Sequence, residues 1–106
     1  MSQSLLNIKG VLSASIDAGI KNNDALDLSV IYLTETTATA AVFTQNVFCA
    51  APVVIAKNHL NHHPKALLIN SGNANAGTGT QGMKNTLHTC ACLASELNID
   101  IEQVLP

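Results

Sequence analysis

An α+β chain, layered in the α/β manner with a mixed, mostly antiparallel sheet packed against helices, is predicted from three features of these 106 residues. Leu12, Ala14 and Ile16 alternate with Ser13, Ser15 and Asp17, the period-two pattern of a half-buried strand. Leu26 to Leu33 carries a β-branched and aromatic run bounded by polar residues. Met83, Leu87, Cys90, Ala91, Ala94 and Leu97 recur at steps of four, three, one, three and three, which lines one face of a helix.

Taken in order, Met1 to Lys9 reads as a polar, flexible lead. The strand at Leu12 to Ile16 follows, and Lys21-Asn22-Asn23-Asp24 is a turn, because Asn and Asp tolerate left-handed backbone and bond their own neighbours. After the strand at Leu26 to Leu33, the composition of Thr39 to Thr44 suits another strand, close enough to pair with it as an antiparallel hairpin. Ala51 to Ala56 reads as a further strand with Pro52 near its start, where a strand tolerates proline. His59 to Pro64 reads as a surface loop, and Ala66 to Ile69 as a short buried strand. The helix that starts near Met83 ends at Asn98, and Asp100 with Gln103 caps one further turn.

Apolar residues make up 47% of the chain, but only 3% are aromatic and much of the rest is Ala, so little surface is available for burial. Such a thin core, with an end at Val104-Leu105-Pro106, points to residues 1–106 being one undivided piece of a larger fold. The net charge of -2, with no cluster of Lys or Arg, argues against nucleic acid. Phe48 to Ala56 is too short for a membrane span and is broken by Pro52, and no secretory leader opens the chain, so the cytoplasm is the expected location. Three cysteines, Cys49, Cys90 and Cys92, do not form a disulfide framework and are expected to be reduced.

The chemistry concentrates in Asn70 to Gly82, which holds four glycines, three asparagines and two threonines between a strand and a helix. Small side chains let backbone N–H groups approach a ligand, and a helix N-terminus adds unpaired donors and a field that favours negative charge. Gly77 to Gly82 matches G-x-G-x-x-G, but its first glycine comes several residues after the strand. Glu96 and Asp100 fall on or just past the helix, where a dinucleotide site would need an acid at the end of a second strand. Gly72 to Gly77 has the spacing of a phosphate-binding P-loop, but Thr78 stands where its lysine would be. Asn70, Asn73 and Asn75 are expected to hold the loop's shape. Thr78 and Gly79, at the junction of loop and helix, offer a hydroxyl and an N–H that could converge on one oxygen as an oxyanion hole.

Elsewhere the bland reading prevails. His59, His62, His63 and the cysteines do not have metal-ligand spacing, and Cys90 continues the apolar helix face while Cys92 points elsewhere. His88 is expected to face solvent. Asp24, Asp27, Glu35, Asp100 and Glu102 define no carboxylate pair and read as solvated surface charges.

Asn70-Ser71-Gly72-Asn73-Ala74-Asn75-Ala76-Gly77-Thr78-Gly79 closely resembles the signature loop of the glutamate N-acetyltransferases, or ornithine acetyltransferases, of arginine biosynthesis. Ala18-Gly19-Ile20-Lys21, Asp27-Leu28, Val42-Phe43-Thr44-Gln45-Asn46 and Ala50-Ala51-Pro52-Val53 agree with the family in order and spacing, so the resemblance runs from about Gly10 to Pro106. It implies a layered fold like that of the self-cleaving aminopeptidases. The family's precursor cuts itself into α and β chains. The new N-terminal threonine of the β chain then carries acetyl from N-acetylornithine to glutamate through an acetyl-enzyme, with its own amine as base.

By the same resemblance, Thr78 and Gly79 are the catalytic oxyanion-hole residues, no cofactor or metal is involved, and the complete enzyme is an α/β heterotetramer. Acetyl-CoA is a further candidate donor, which would make the enzyme multifunctional. No threonine of this chain stands in the family's cleavage motif, so the nucleophile and most substrate contacts are expected on the rest of the α chain and on the β chain, and this chain alone is expected to be inactive. Two competing readings are an amide hydrolase on the same scaffold and a small anion- or nucleotide-binding module built on the glycine loop.

Overall fold

Alternation, proline placement and capping account for most of the elements in the computed structural model, which describes residues 7–21 and 24–106. Most of the polar lead, residues 1–6, and the two asparagines of the turn, residues 22 and 23, lie outside the described residues. The elements run β1 (Val11–Ile16), β2 (Leu28–Leu33), α1 (Ala51–His59), β3 (Ala66–Asn70), α2 (Gly79–Leu97), a single 3₁₀ turn (Ile101–Gln103) and β4 (Val104–Leu105). The four strands form one mixed sheet in the order β1-β2-β3-β4, with β1/β2 and β2/β3 antiparallel and β3/β4 parallel.

Register sorts the side chains into two faces. Leu12, Ala14 and Ile16 lie opposite Tyr32, Val30 and Leu28, which in turn lie opposite Ala66, Leu68 and Asn70. Both helices cover this face: Ile55 of α1 and Cys90 and Ala94 of α2 form a core with Ala66, Leu68 and Val104, and Leu28, Val30 and Tyr32 pack against its border. The cover does not extend to β1, where Leu12 and Ile16 each remain 53% exposed. The alternation at residues 12–16 therefore does mark a strand, but its apolar side is open. Val11, Ile31, Leu33, Leu67 and Ile69 lie on the opposite face, where each is half-buried or exposed.

Two predicted strands are corrected. Thr39 to Thr44 pairs with nothing among the described residues, and Val42 is 98% exposed. The hairpin with β2 cannot form because β1 and β3 already occupy both edges of β2. Ala51 to Ala56 is the start of helix α1. Proline at the first helical positions removes only an N–H that has no intrahelical partner, and its φ is already helical, so Pro52 suits a helix start as well as a strand start. Ala51, Ile55, Ala56 and His59 then fall on one buried side, and this burial overrides the strand preference of Val53, Val54 and Ile55.

The C-terminal half follows the prediction more closely. Asn98 closes α2 in the left-handed conformation, φ 55° and ψ 49°, with its N–H directed at the carbonyls of Ala94 and Ser95. Gln103 Oε1 accepts the Asp100 N–H at 3.1 Å, and Gln103 O accepts the Lys65 N–H at 2.8 Å, so the 3₁₀ turn delivers β4 beside β3.

His59 is a further correction, since it sits at the end of α1 with only 6% of its surface exposed and not in a surface loop. Its Nδ1 lies 2.8 Å from Val104 O. A carbonyl oxygen can only accept, so Nδ1 carries the hydrogen and ties α1 to β4. Replacing His59 with Ala would leave that buried carbonyl short of a donor and is expected to cost about 1–3 kcal/mol, read from urea unfolding curves of the two proteins.

Candidate functional site

The glycine loop is held in place at both ends and across its middle. At its start, Ser71 N–H donates to Asp27 O at 2.9 Å. Gly72 then turns with φ 82°, and a β-carbon there would stand 2.4 Å from Lys21 Cγ, so the stem of Lys21 lies directly over the loop backbone. Across the middle, Asn75 Nδ2 donates to Asn70 Oδ1 at 2.9 Å, while Asn75 O accepts the Ala51 N–H at 3.2 Å and joins the loop to the start of α1. Asn70 and Asn75 thus have the shape-holding role expected of them. Asn73 makes no side-chain hydrogen bond among the described residues and lines a hollow instead. At the far end, Phe48 packs over Gly77, which has φ 69°.

Lys21 is itself positioned by Asp27. This carboxylate, read from the sequence as a solvated charge, is only 3% exposed. Its Oδ1 accepts the Ala18 N–H at 2.7 Å, and its Oδ2 accepts those of Ile20 at 2.7 Å and Lys21 at 2.9 Å. The Ala18 and Lys21 N–H groups hold the carboxyl below its usual 3.8, against the opposing effect of burial. The signal was present in the sequence as an Asp six to nine residues after a glycine-containing turn, but a carboxylate that bonds only backbone leaves no charge pairing to recognise.

Thr78 and Gly79 emerge at the end of this clamped loop. Thr78 precedes α2 without capping it through its side chain, and its Oγ1 makes only a long 3.5 Å bond to Asn75 O. Gly79 opens the helix with φ 61°, a conformation that disfavours a side chain, and a β-carbon there would meet nothing within 4 Å. No acidic residue neutralises the first turn of this 19-residue helix. Two hollows meet at Thr78. One, of about 370 Å³, is lined mainly by neutral amides and hydroxyls, among them Asn73, Gln81, Asn85 and Thr89. The other, of about 290 Å³, has both Thr78 and Gly79 in its wall together with Phe48, Val54 and Met83. The site thus offers neutral donors and a helix N-terminus, which suits an oxygen that carries negative charge.

The other candidates are dispersed. Cys90 is fully buried, with its thiol pushed up to about 11 by burial, while Cys92 is exposed, 3.6 Å from His88 Nε2 on the same helix. His62 and His63 are exposed, and among the described residues no three His, Cys, Asp or Glu side chains gather as a metal site. The strand β3, helix α2 and strand β4 do form a β-α-β unit, but Glu96 and Asp100 both precede β4, so neither is placed to hold a ribose as a dinucleotide fold requires.

A sequence profile of the ArgJ family matches residues 12–106. The chain belongs to the ArgJ family. Among its relatives, the arginine biosynthesis bifunctional protein ArgJ of Methylococcus capsulatus is 44% identical over 102 residues, which cover 96% of this chain and 25% of that protein. The protein of the same description from Colwellia psychrerythraea is 43% identical over 97% of this chain and 27% of its own length.

Two crystal structures share the fold. Ornithine acetyltransferase of Mycobacterium tuberculosis, complexed with ornithine, superposes with a TM-score of 0.90 at 33% identity, covering 95% of this chain and 56% of that one. Arginine biosynthesis bifunctional protein ArgJ of Bacillus halodurans gives 0.88 at 29% identity, covering 95% and 53%. The α+β class is therefore that of ArgJ proteins, and this chain spans about a quarter of the length of the ArgJ relatives. No helix among the described residues is long and apolar enough to cross a membrane.

The Asp27 clamp predicts a direction with pH. Because the folded carboxyl is held below 3.8, its stabilisation is fully present above that value and is lost as pH falls through the folded pKa. Asp27→Asn is expected to be less stable at neutral pH and to show a smaller acid-side loss, with faster exchange of the Ala18, Ile20 and Lys21 amides by hydrogen-exchange NMR. Equal exchange in both proteins would remove Asp27 from the clamp.

Proposed function

We propose that this chain forms the oxyanion-stabilising part of an ArgJ acetyltransferase, which moves acetyl from N-acetylornithine to glutamate through an acetyl-threonine intermediate. The observation that carries this reading is the position of Thr78 and Gly79, in the family's signature loop and at the uncapped start of α2. In this reading the attacking threonine belongs to the β chain and its α-amino group removes the hydroxyl proton. The carbonyl oxygen of the acetyl group gains negative charge as the tetrahedral intermediate forms. Thr78 Oγ1–H and Gly79 N–H donate to that oxygen, and the field of the helix N-terminus stabilises it further.

Intermediate formation and collapse occur twice, once with ornithine leaving and once with the glutamate amine attacking. The same two donors serve both half-reactions, because the oxyanion forms at the same carbonyl each time. The 106 residues contribute geometry and donors, and in this reading the remainder of the α chain and the β chain complete the pocket in an α/β heterotetramer located in the cytoplasm. Acetyl-CoA as an alternative donor would present the same carbonyl oxygen to the same pair.

In the complete enzyme, Thr78→Ala is expected to lower kcat by about 100- to 1,000-fold with little change in KM and an unchanged circular dichroism spectrum. Full turnover in that variant would take Thr78 out of the mechanism. Measuring ornithine release with and without glutamate separates transfer from hydrolysis, since glutamate-independent release would identify a hydrolase.

A further inference from the structure

Among the glycines of the loop, Gly82 differs in kind. It has no positive φ, it is buried within the first turns of α2, and its N–H donates to Thr78 O at 3.2 Å as in an ordinary helix. Backbone freedom therefore does not explain a glycine there, and Ala at such a position would ordinarily favour the helix. The explanation lies in its neighbour four residues back. Side chains on a helix tilt toward its N-terminus, so a β-carbon at position 82 would point at the side chain of Thr78. Built there, it would stand 1.7 Å from Thr78 Oγ1 and 2.4 Å from Thr78 Cβ.

Both separations are far inside van der Waals contact. Rotation about χ1 can swing Oγ1 away, but Cβ does not move with that rotation, so relief also requires the backbone of residue 78 or of the first turn to shift. Thr78 Oγ1 also makes its long 3.5 Å approach to Asn75 O. The hydroxyl thus sits in a slot bounded by the bare Cα of Gly82 and by a carbonyl of the clamped loop.

We infer that Gly82 is a positioning residue for Thr78, the absent side chain at 82 forming the seat that fixes where the Thr78 hydroxyl lies. The functional part of this inference rests on the reading of Thr78 as an oxyanion donor, whereas the steric part does not. A donor displaced by about an ångström loses much of its value in the transition state, where misplacement on that scale costs on the order of 100-fold in rate. Gly82 has no side chain to offer a substrate, and its assigned role is exercised through Thr78.

A double-mutant cycle in the complete enzyme tests this, using Gly82→Ala, Thr78→Gly and the two combined, with kcat, KM for N-acetylornithine and Tm measured for each. Gly82→Ala alone is expected to lower kcat by about 100-fold with KM little changed, and to lower Tm. In the Thr78→Gly background the obstructing side chain is gone, so adding Gly82→Ala should leave kcat where Thr78→Gly put it and should raise Tm. If Gly82→Ala does not fold but the double variant does, the seat is supported. An equal Tm loss from Gly82→Ala in both backgrounds, failure of both to fold, or an undiminished kcat in Gly82→Ala alone would overturn the inference. Should Thr78→Gly itself retain full kcat, the oxyanion reading fails, and the opposite signs of the Tm changes still report on the seat.

Discussion

Asp27 joins three segments that are separate in the chain, and the geometry of the glycine loop depends on that junction. Its N–H donates to Ile16 O at the end of β1, its carboxylate gathers three N–H groups of the Ala18 to Lys21 turn, and its own carbonyl accepts from Ser71 at the start of the loop. A buried carboxylate is costly unless its lone pairs are filled, and here backbone donors fill them, with a smaller favourable contribution from the charge of Lys21. The turn so ordered lays Lys21 across Gly72, which is how a residue near the N-terminus supports a loop fifty positions later.

From that clamp the chain of dependence runs toward the candidate site. The loop is closed by the Asn70–Asn75 side-chain bond, fastened to α1 through Asn75 O, and pressed by Phe48 at Gly77 before it reaches Thr78. The donors at Thr78 and Gly79 are exposed, yet the loop leading to them is held at Asn70, Ser71, Gly72, Asn75 and Gly77. This is the arrangement electrostatic stabilisation needs, since donors that must reorganise during the reaction give up part of their effect. The apolar side of β1 stays exposed, and the chain spans about a quarter of the length of its ArgJ relatives.

Local sequence determined much of this. Strands at β1, β2 and β3, the helix α2, its end at Asn98 and the turn at Asp100 to Gln103 could be read from periodicity and capping, because each is decided by residues within a few positions of one another. The polar glycine loop and its Thr-Gly pair were also legible, and the ten-residue signature pointed to the family whose profile matches residues 12–106.

Tertiary structure decided what depends on distant partners. Thr39 to Thr44 has strand composition, but both edges of its expected partner β2 are already taken by β1 and β3, and Val53-Val54-Ile55 prefers a strand but lies in a helix because one side of α1 is buried against α2 and β4. Asp27 and His59 are polar residues of the kind usually found at the surface, and only the fold shows the backbone groups that justify their burial. Gly82 belongs with them: its place in the motif is visible in the chain, but the reason for it is a neighbour's side chain occupying the space where its own would be.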